Sequence, residues 1–311
     1  MMRVLVLGAD GFVGRRAIAA LAASDWATPI AGSRRVREGT GVARIAVDAT
    51  DRQALASALD GIDAVVNCVG GNASVIRRNA EALFAAAGSR RIVHLSSMAV
   101  YGSATGTITE SAPLLADTGS YATAKAAAER LAADTDTVLL RPGCIYGAGS
   151  VQWSCAITAL LARRRIGDLG RRGDGYSNLV HVDDVARAIV AALRSDSAGA
   201  AYNLAMADAP DWNAYFLAVA RANGLVPVRR VPAWQLRGET TMLAIPLGLA
   251  RRATRQAPPP IPAWLATLWQ RDIRLDPTRA ERELGMRWTP LAAGVAEAAQ
   301  AVSVRRPVSE A

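Results

Sequence analysis

Lysine is all but missing from this chain of 311 residues: Lys125 stands alone among 36 basic side chains, and the others are arginine. A formal charge of +9 would ordinarily suggest a nucleic-acid partner. An arginine skew this complete is what a biased coding composition produces, and no aromatic-spaced basic stripe accompanies it, so no nucleic acid is expected. Cysteine is scarce as well. Cys68, Cys144 and Cys155 share no CxxC spacing and have only His94 and His181 as co-ligands, which leaves no disulfide framework and no metal site to expect. Long apolar runs are also lacking: Met242 to Ala250 is broken by Pro246 and Gly248, well short of the roughly 18 to 20 residues that cross a bilayer, so no stable membrane insertion is expected. The opening run Met1 to Leu7 is too short for a secretion signal, and a cytoplasmic location is expected.

What is present is the composition of a folded enzyme, 51% hydrophobic and 20% charged. Short β-branched runs alternate with alanine-rich stretches through the first two-thirds of the chain. Strands are expected at 3–7, 29–33, 44–47, 64–68, 91–96 and 138–141, with helices at 14–23, 52–59, 74–87 and 121–133. The pattern predicts an α/β fold, a Rossmann-type doubly wound parallel sheet with a smaller C-terminal substrate-binding lobe, and ligands at the carboxyl ends of the strands. The expected division is a dinucleotide-binding domain over 1–150, with a returning segment around 178–205, and a mainly substrate-binding lobe over 151–311. Six of the seven tryptophans lie in that lobe, most simply as core. Two further expectations there are a stiff connector over 256–262 and a helix over 278–284, introduced by Asp276-Pro277 and ended by Gly285.

Gly8-Ala9-Asp10-Gly11-Phe12-Val13-Gly14 sits between the first strand and the first helix. Glycines there allow a tight turn, close approach of a pyrophosphate and close packing of the helix, whose N-terminus offers amide donors. An NAD-selective site would place an acid near residue 33, yet the chain reads Ser33-Arg34-Arg35. A guanidinium suits a 2′-phosphate, so NADP(H) is expected over NAD(H). Asp48, followed by Ala49, is a candidate for the adenine amino group.

Tyr121-Ala122-Thr123-Ala124-Lys125 opens a helix, so both functional side chains share a face. A single lysine falls four residues after one of the 6 tyrosines by chance only about 2% of the time, so the spacing is informative. A nearby ammonium favours the phenolate, fitting Tyr121 to exchange a proton with an alcohol or carbonyl, and Ser97 would orient that oxygen.

These segments, with Ser96-Ser97-Met98-Ala99-Val100-Tyr101-Gly102, Arg141-Pro142-Gly143-Cys144-Ile145-Tyr146-Gly147 and Val180-His181-Val182-Asp183-Asp184, occur in the order seen in the extended short-chain dehydrogenase/reductase family, the NAD-dependent epimerase/dehydratase group, which the chain resembles over roughly 3–205. The resemblance implies Tyr121 as catalytic tyrosine, Lys125 as ribose-binding lysine, Ser97 as catalytic serine and Asn79 as a supporting asparagine. It also implies Val69 and Gly70 along the cofactor, Pro142 near the carboxamide, and a homodimer. Tyr101, Tyr146 and His181 are expected to hold structure.

The sequence departs from sugar-nucleotide members in reading Tyr176-Ser177-Asn178-Leu179, without the usual arginine; Arg171 and Arg172 are the candidates to substitute for it. The lobe is apolar. An NADP(H)-dependent oxidoreductase acting on the carbonyl or alcohol of a relatively apolar small molecule is therefore expected. The alternatives are an NDP-sugar epimerase or dehydratase and a non-catalytic NADP(H)-binding sensor or assembly subunit. Titrating both dinucleotides checks the cofactor expectation: NADPH should bind more tightly than NADH, and a preference for NADH overturns it.

Overall fold

A computed structural model of the protein describes residues 1–35, 41–242 and 261–304. The expected apolar segment 242–250 lies almost wholly outside these, as does most of the expected connector 256–262.

The chain divides into two compact units. The first comprises Met1–Ile145, Val180–Ala207 and Leu275–Thr289. Seven strands form its sheet: β1 (Met2–Leu7), β2 (Ala27–Ser33), β3 (Ala43–Ala46), β4 (Ala64–Asn67), β5 (Arg91–Leu95), β6 (Thr137–Pro142) and β7 (Ala201–Leu204). Their order is β7-β6-β5-β4-β1-β2-β3, with every neighbouring pair parallel. The order reverses at β1, the switch point of a doubly wound sheet.

Continuous apolar strands follow from covering both faces, because alternate side chains must each find a core. Val4 and Val6 of β1 join Val66, Val93, Val138 and Leu140 on one side. Leu5 and Leu7 join Ile30, Val65 and Ile92 on the other. Helices α1 (Phe12–Ala22), α2 (Arg52–Ala58), α3 (Ala73–Ala86) and α4 (Ser120–Leu131) fill the connections, together with a helix at Val182–Arg194. Asp51 and Asn72 cap α2 and α3 through their side chains, so both helices start where their first free amides find an acceptor. The segment Leu275–Thr289, expected in the lobe, belongs to this unit because Ala280, Leu284 and Met286 enter its core. Its helix covers Thr278–Glu283, with the Asp276 carboxylate accepting from the Thr278 amide at 2.9 Å.

The second unit comprises Tyr146–Leu179, Asp208–Arg274 and the chain from Pro290 onward. Its helix Trp212–Ala222 buries Trp212, Tyr215 and Phe216 completely. Trp153 stacks on Trp212 at 5.5 Å between centroids, and Trp269 meets Phe216 edge-on at 5.4 Å. The Tyr215 hydroxyl donates to the Trp153 carbonyl at 2.5 Å. Tyr146, completely buried, packs on Tyr215. Most of the lobe's aromatic residues thus form core, while Trp234 and Trp264 are exposed.

A buried polar relay crosses the carboxyl ends of β4 and β5. The Asn67 amide donates to Asn79 Oδ1 at 2.8 Å and to His94 Nδ1 at 3.1 Å, while Asn67 Oδ1 accepts from the Val69 amide at 3.3 Å. Asn79 donates onward to the Ala49 carbonyl at 2.8 Å. This role makes His94 an acceptor, and therefore neutral. Burial, reinforced by the Lys125 charge, pushes its pKa down to about 3. Its contribution to stability is full above the ordinary value near 6.5 and is lost as pH falls toward 3. Urea midpoints at pH 7 and pH 4 should therefore drop further for the wild type than for His94→Gln; equal drops would show that His94 carries none of the acid sensitivity.

Candidate active site

The turn after β1 is shaped by backbone crowding. Gly8 has φ +74°, and a Cβ there would lie 2.9 Å from the Cys68 carbonyl oxygen. At Gly14 an added Cβ would lie 2.2 Å from the Gly8 carbonyl oxygen, closer than any side chain tolerates. The Gly11 amide donates to that same oxygen at 2.9 Å. Gly11 then serves as N-cap of α1 without a side-chain cap, and the first turn contains no acid. The amides of Phe12, Val13 and Gly14 open a helix whose positive end lies at the sheet's switch point. These features fit a dinucleotide pyrophosphate: close backbone approach, amide donors and no competing carboxylate in the first turn. Asp10 is engaged by Arg44 at 3.0 Å, and Arg15 donates to the Asp10 carbonyl.

At the end of β2, the Ser33 hydroxyl donates to the Arg35 carbonyl at 2.8 Å, so Ser33, Arg34 and Arg35 form a local turn. Asp48 accepts from the Thr50 amide and hydroxyl at 2.9 and 2.8 Å. Those bonds hold its carboxyl below the usual range, with smaller contributions from the Arg34 and Arg78 charges. Arg34 and Asp48 therefore belong to one neighbourhood, and Arg78 is an addition that the sequence did not suggest. Ala49 is tied to Asn79 and Val69 to Asn67; Gly70 follows in open space, and Pro142 ends β6.

Ser97 follows β5 and caps a short turn, Met98–Tyr101, its hydroxyl accepting from the Ala99 amide at 3.2 Å. Tyr121 stands in the first turn of α4 and is 43% exposed. Crowding by the surrounding protein pushes the Tyr121 phenol's pKa up, and the nearby Ser97 hydroxyl opposes that rise. Lys125 lies one turn on, 3% exposed, its ammonium donating to the Leu95 carbonyl at 2.6 Å. Burial brings its pKa down to about 8, with Cys68 and Glu129 acting in the opposite sense.

Ser97, Tyr121 and Lys125 thus converge where α4 crosses the end of β5. One expectation is corrected: Lys125 is not among the causes of the Tyr121 shift, and the phenol is raised rather than lowered. The ammonium's nearest acceptor is a strand carbonyl, and crowding, invisible in the sequence, controls the phenol. Asn79 is committed to Asn67 and Ala49, so it holds the ends of the strands rather than joining the serine–tyrosine pair. The pyrophosphate turn makes its own prediction: Gly14→Ala should lower dinucleotide affinity by at least about tenfold, through displacement of the Gly8 backbone. Fluorescence titration reads it, and unchanged affinity would contradict the crowding.

Comparison with known proteins agrees with the fold. The NAD dependent epimerase/dehydratase family matches residues 4–205. A Streptomyces sp protein named 3-diazoavenalumate denitrifying reductase is 31% identical over 264 residues, covering 75% of this chain and 85% of that protein. The structure of MoeE5 in complex with UDP-glucuronic acid and NAD is 25% identical, with a TM-score of 0.71, covering 97% of this chain and 99% of that one. The dTDP-glucose 4,6-dehydratase of Bacillus anthracis, in complex with NAD, shares the fold at 16% identity and TM-score 0.75, over 98% of this chain and 97% of that one. Among the described residues no helix is long and apolar enough to cross a membrane. The matched span runs from within β1 to just past β7, well over half of the chain, and on that ground the chain belongs to the NAD-dependent epimerase/dehydratase family of extended short-chain dehydrogenase/reductase enzymes.

Proposed function

We propose that the protein is an NADP(H)-dependent reductase acting on a relatively apolar small molecule, with Tyr121 as general acid/base and Ser97 orienting the substrate oxygen. The observation that carries this reading is the convergence at the end of β5 of Ser97, Lys125, bonded to the Leu95 carbonyl, and Tyr121, whose phenol is pushed above its ordinary pKa. A phenol so placed is protonated near neutrality and ready to give its proton to a carbonyl oxygen as that oxygen gains charge. Ser97 donates its one hydroxyl hydrogen to the same oxygen and stabilises the charge it gains, and the phenolate left on Tyr121 regains its proton from solvent before the next turnover.

The bound dinucleotide supplies hydride. The chain's own residues do the rest: the Gly8–Gly14 turn and the start of α1 hold the pyrophosphate, Arg34 and Arg35 take the 2′-phosphate, and Lys125 binds the ribose hydroxyls. The 31% identical relative supports reduction through its name, which is that of a reductase. A substrate of low polarity is supported by the sequence, which reads Tyr176-Ser177-Asn178-Leu179 in place of the arginine usual in sugar-nucleotide members. A homodimer is part of the proposal by family likeness alone.

The second reading is NDP-sugar epimerisation or dehydration, favoured by the UDP-glucuronic acid and NAD complex of the 25% identical MoeE5. The same residues would then return the hydride to the substrate. A panel of aryl ketones, aryl diazo compounds and NDP-sugars, followed at 340 nm and by product analysis, separates the two. Steady NADPH consumption with an apolar compound is expected; NDP-sugar conversion without net consumption would replace the proposal with the second reading. On a carbonyl substrate, Tyr121→Phe should lower kcat about 10²- to 10⁴-fold. Lys125→Arg, which keeps the charge but not the compact head, should also impair turnover. Normal turnover by both variants would remove Tyr121 and Lys125 from the mechanism.

A further inference from the structure

Glu129 lies one helical turn beyond Lys125 and two beyond Tyr121 on α4, so the three side chains share a face. It is 5% exposed. Its carboxylate accepts from Ser96 Oγ at 2.5 Å, from Arg141 Nη2 at 2.6 Å and from Arg141 Nε at 3.0 Å. Ser96 immediately precedes Ser97. Arg141 Nη1 donates to the Tyr101 hydroxyl and to the Glu110 carbonyl, each at 2.9 Å. Tyr101 donates to Asn203 Oδ1 at 2.6 Å, and Tyr101 is the last residue of the turn that Ser97 caps. Both ends of the turn carrying Ser97 are therefore tied to one carboxylate on the helix carrying Tyr121 and Lys125.

The surroundings of Lys125 give this carboxylate a second effect. Cys68, beyond β4, is pushed up to about 12 by burial, and His94, on β5, is pushed down to about 3. Both are neutral at pH 7, as is Tyr121 on the helix itself. The Leu95 carbonyl is a neutral acceptor. Among the ionisable groups that act on Lys125, the ion-paired Glu129 is the one carrying charge.

We infer that Glu129, locked by Arg141, is a positioning residue: it holds the Ser97 turn in register with the Tyr121–Lys125 face and serves as the fixed counter-charge of Lys125. Buried ion pairs are often replaceable by apolar residues without loss of stability, so stability alone does not account for this one. The register half rests on the proposed role of Tyr121; the counter-charge half does not.

The single lysine makes a direct test available. Protein labelled with ¹⁵N-lysine has one side-chain ammonium signal, whose titration can be followed without substrate. In Glu129→Gln, Lys125 should titrate at lower pH than in the wild type, and kcat should fall about 10- to 100-fold at a temperature well below melting, as small misplacements of catalytic groups do. Dinucleotide affinity should remain within about threefold, because the Gly8–Gly14 turn is untouched. Glu129→Asp, which keeps charge but shortens reach, should restore the titration more than kcat. If Glu129→Gln does not fold, Ser96→Ala cuts the link to the Ser97 turn without stranding a charge, and its kcat should fall as well. A wild-type lysine titration in folded Glu129→Gln overturns the counter-charge role. Undiminished kcat in Glu129→Gln or Ser96→Ala, with Tyr121→Phe inactive, overturns the register role. Tyr121→Phe at full activity is the separate signature that the functional reading itself has failed.

Discussion

A carboxylate removed from water on an alanine-rich helix governs how the parts around it are arranged. Leaving Glu129 buried and unpaired would cost several kcal/mol even after the surroundings relax. Arg141 answers from β6 through two nitrogens, and the Ser96 hydroxyl completes the set. The guanidinium then needs acceptors of its own and takes the Tyr101 hydroxyl and the Glu110 carbonyl, while the Tyr101 hydroxyl donates to Asn203 Oδ1 on β7. One charge thereby fixes α4 against β6, β7 and the turn that follows β5. Small residues permit the close approach: Ala122, Ala124, Ala126 and Ala128 of α4 are all buried.

Much of this architecture was legible in the sequence because local patterns dictate it. The six expected strands and four helices form, with ends differing by one or two residues. The glycine spacing before α1 was legible for the same reason: the clash of a Cβ at Gly14 with the Gly8 carbonyl is a property of any such turn. What could not be read was pairing across distance. Nothing near Glu129 announces Arg141, and the charge pattern of α4 alone suggests an exposed residue. β7 is only four residues long and was missed as a strand, and the Asn67–His94 contact depends on β4 lying beside β5. Asn79 was noticed, but its partners at Asn67 and Ala49 come from two other strand ends.

The lone lysine has a physical reason in its setting. Its ammonium reaches a strand carbonyl at 2.6 Å in a space closed to water, beside a thiol and an imidazole that are both neutral. A guanidinium there would bring five donors needing acceptors and would remain charged under all conditions. An ammonium brought down to about 8 can exchange a proton near neutrality. The same burial that makes lysine the fitting cation here also weakens its hold on the proton, and Glu129 acts against that weakening.

On the proposed role of Tyr121, the favoured direction follows from where the protons rest. With the phenol raised by crowding, the proposed acid/base group keeps its proton near neutrality. Oxidising an alcohol, or beginning an epimerisation, calls for phenolate, whose share at pH 7 falls tenfold for each unit by which the pKa rises. Supplying it would require positive charge close to the phenol, and Lys125 is turned to Leu95 instead. Reducing a carbonyl needs only the proton already in place. On the proposed role of Tyr121, reduction asks less of this chain than oxidation does.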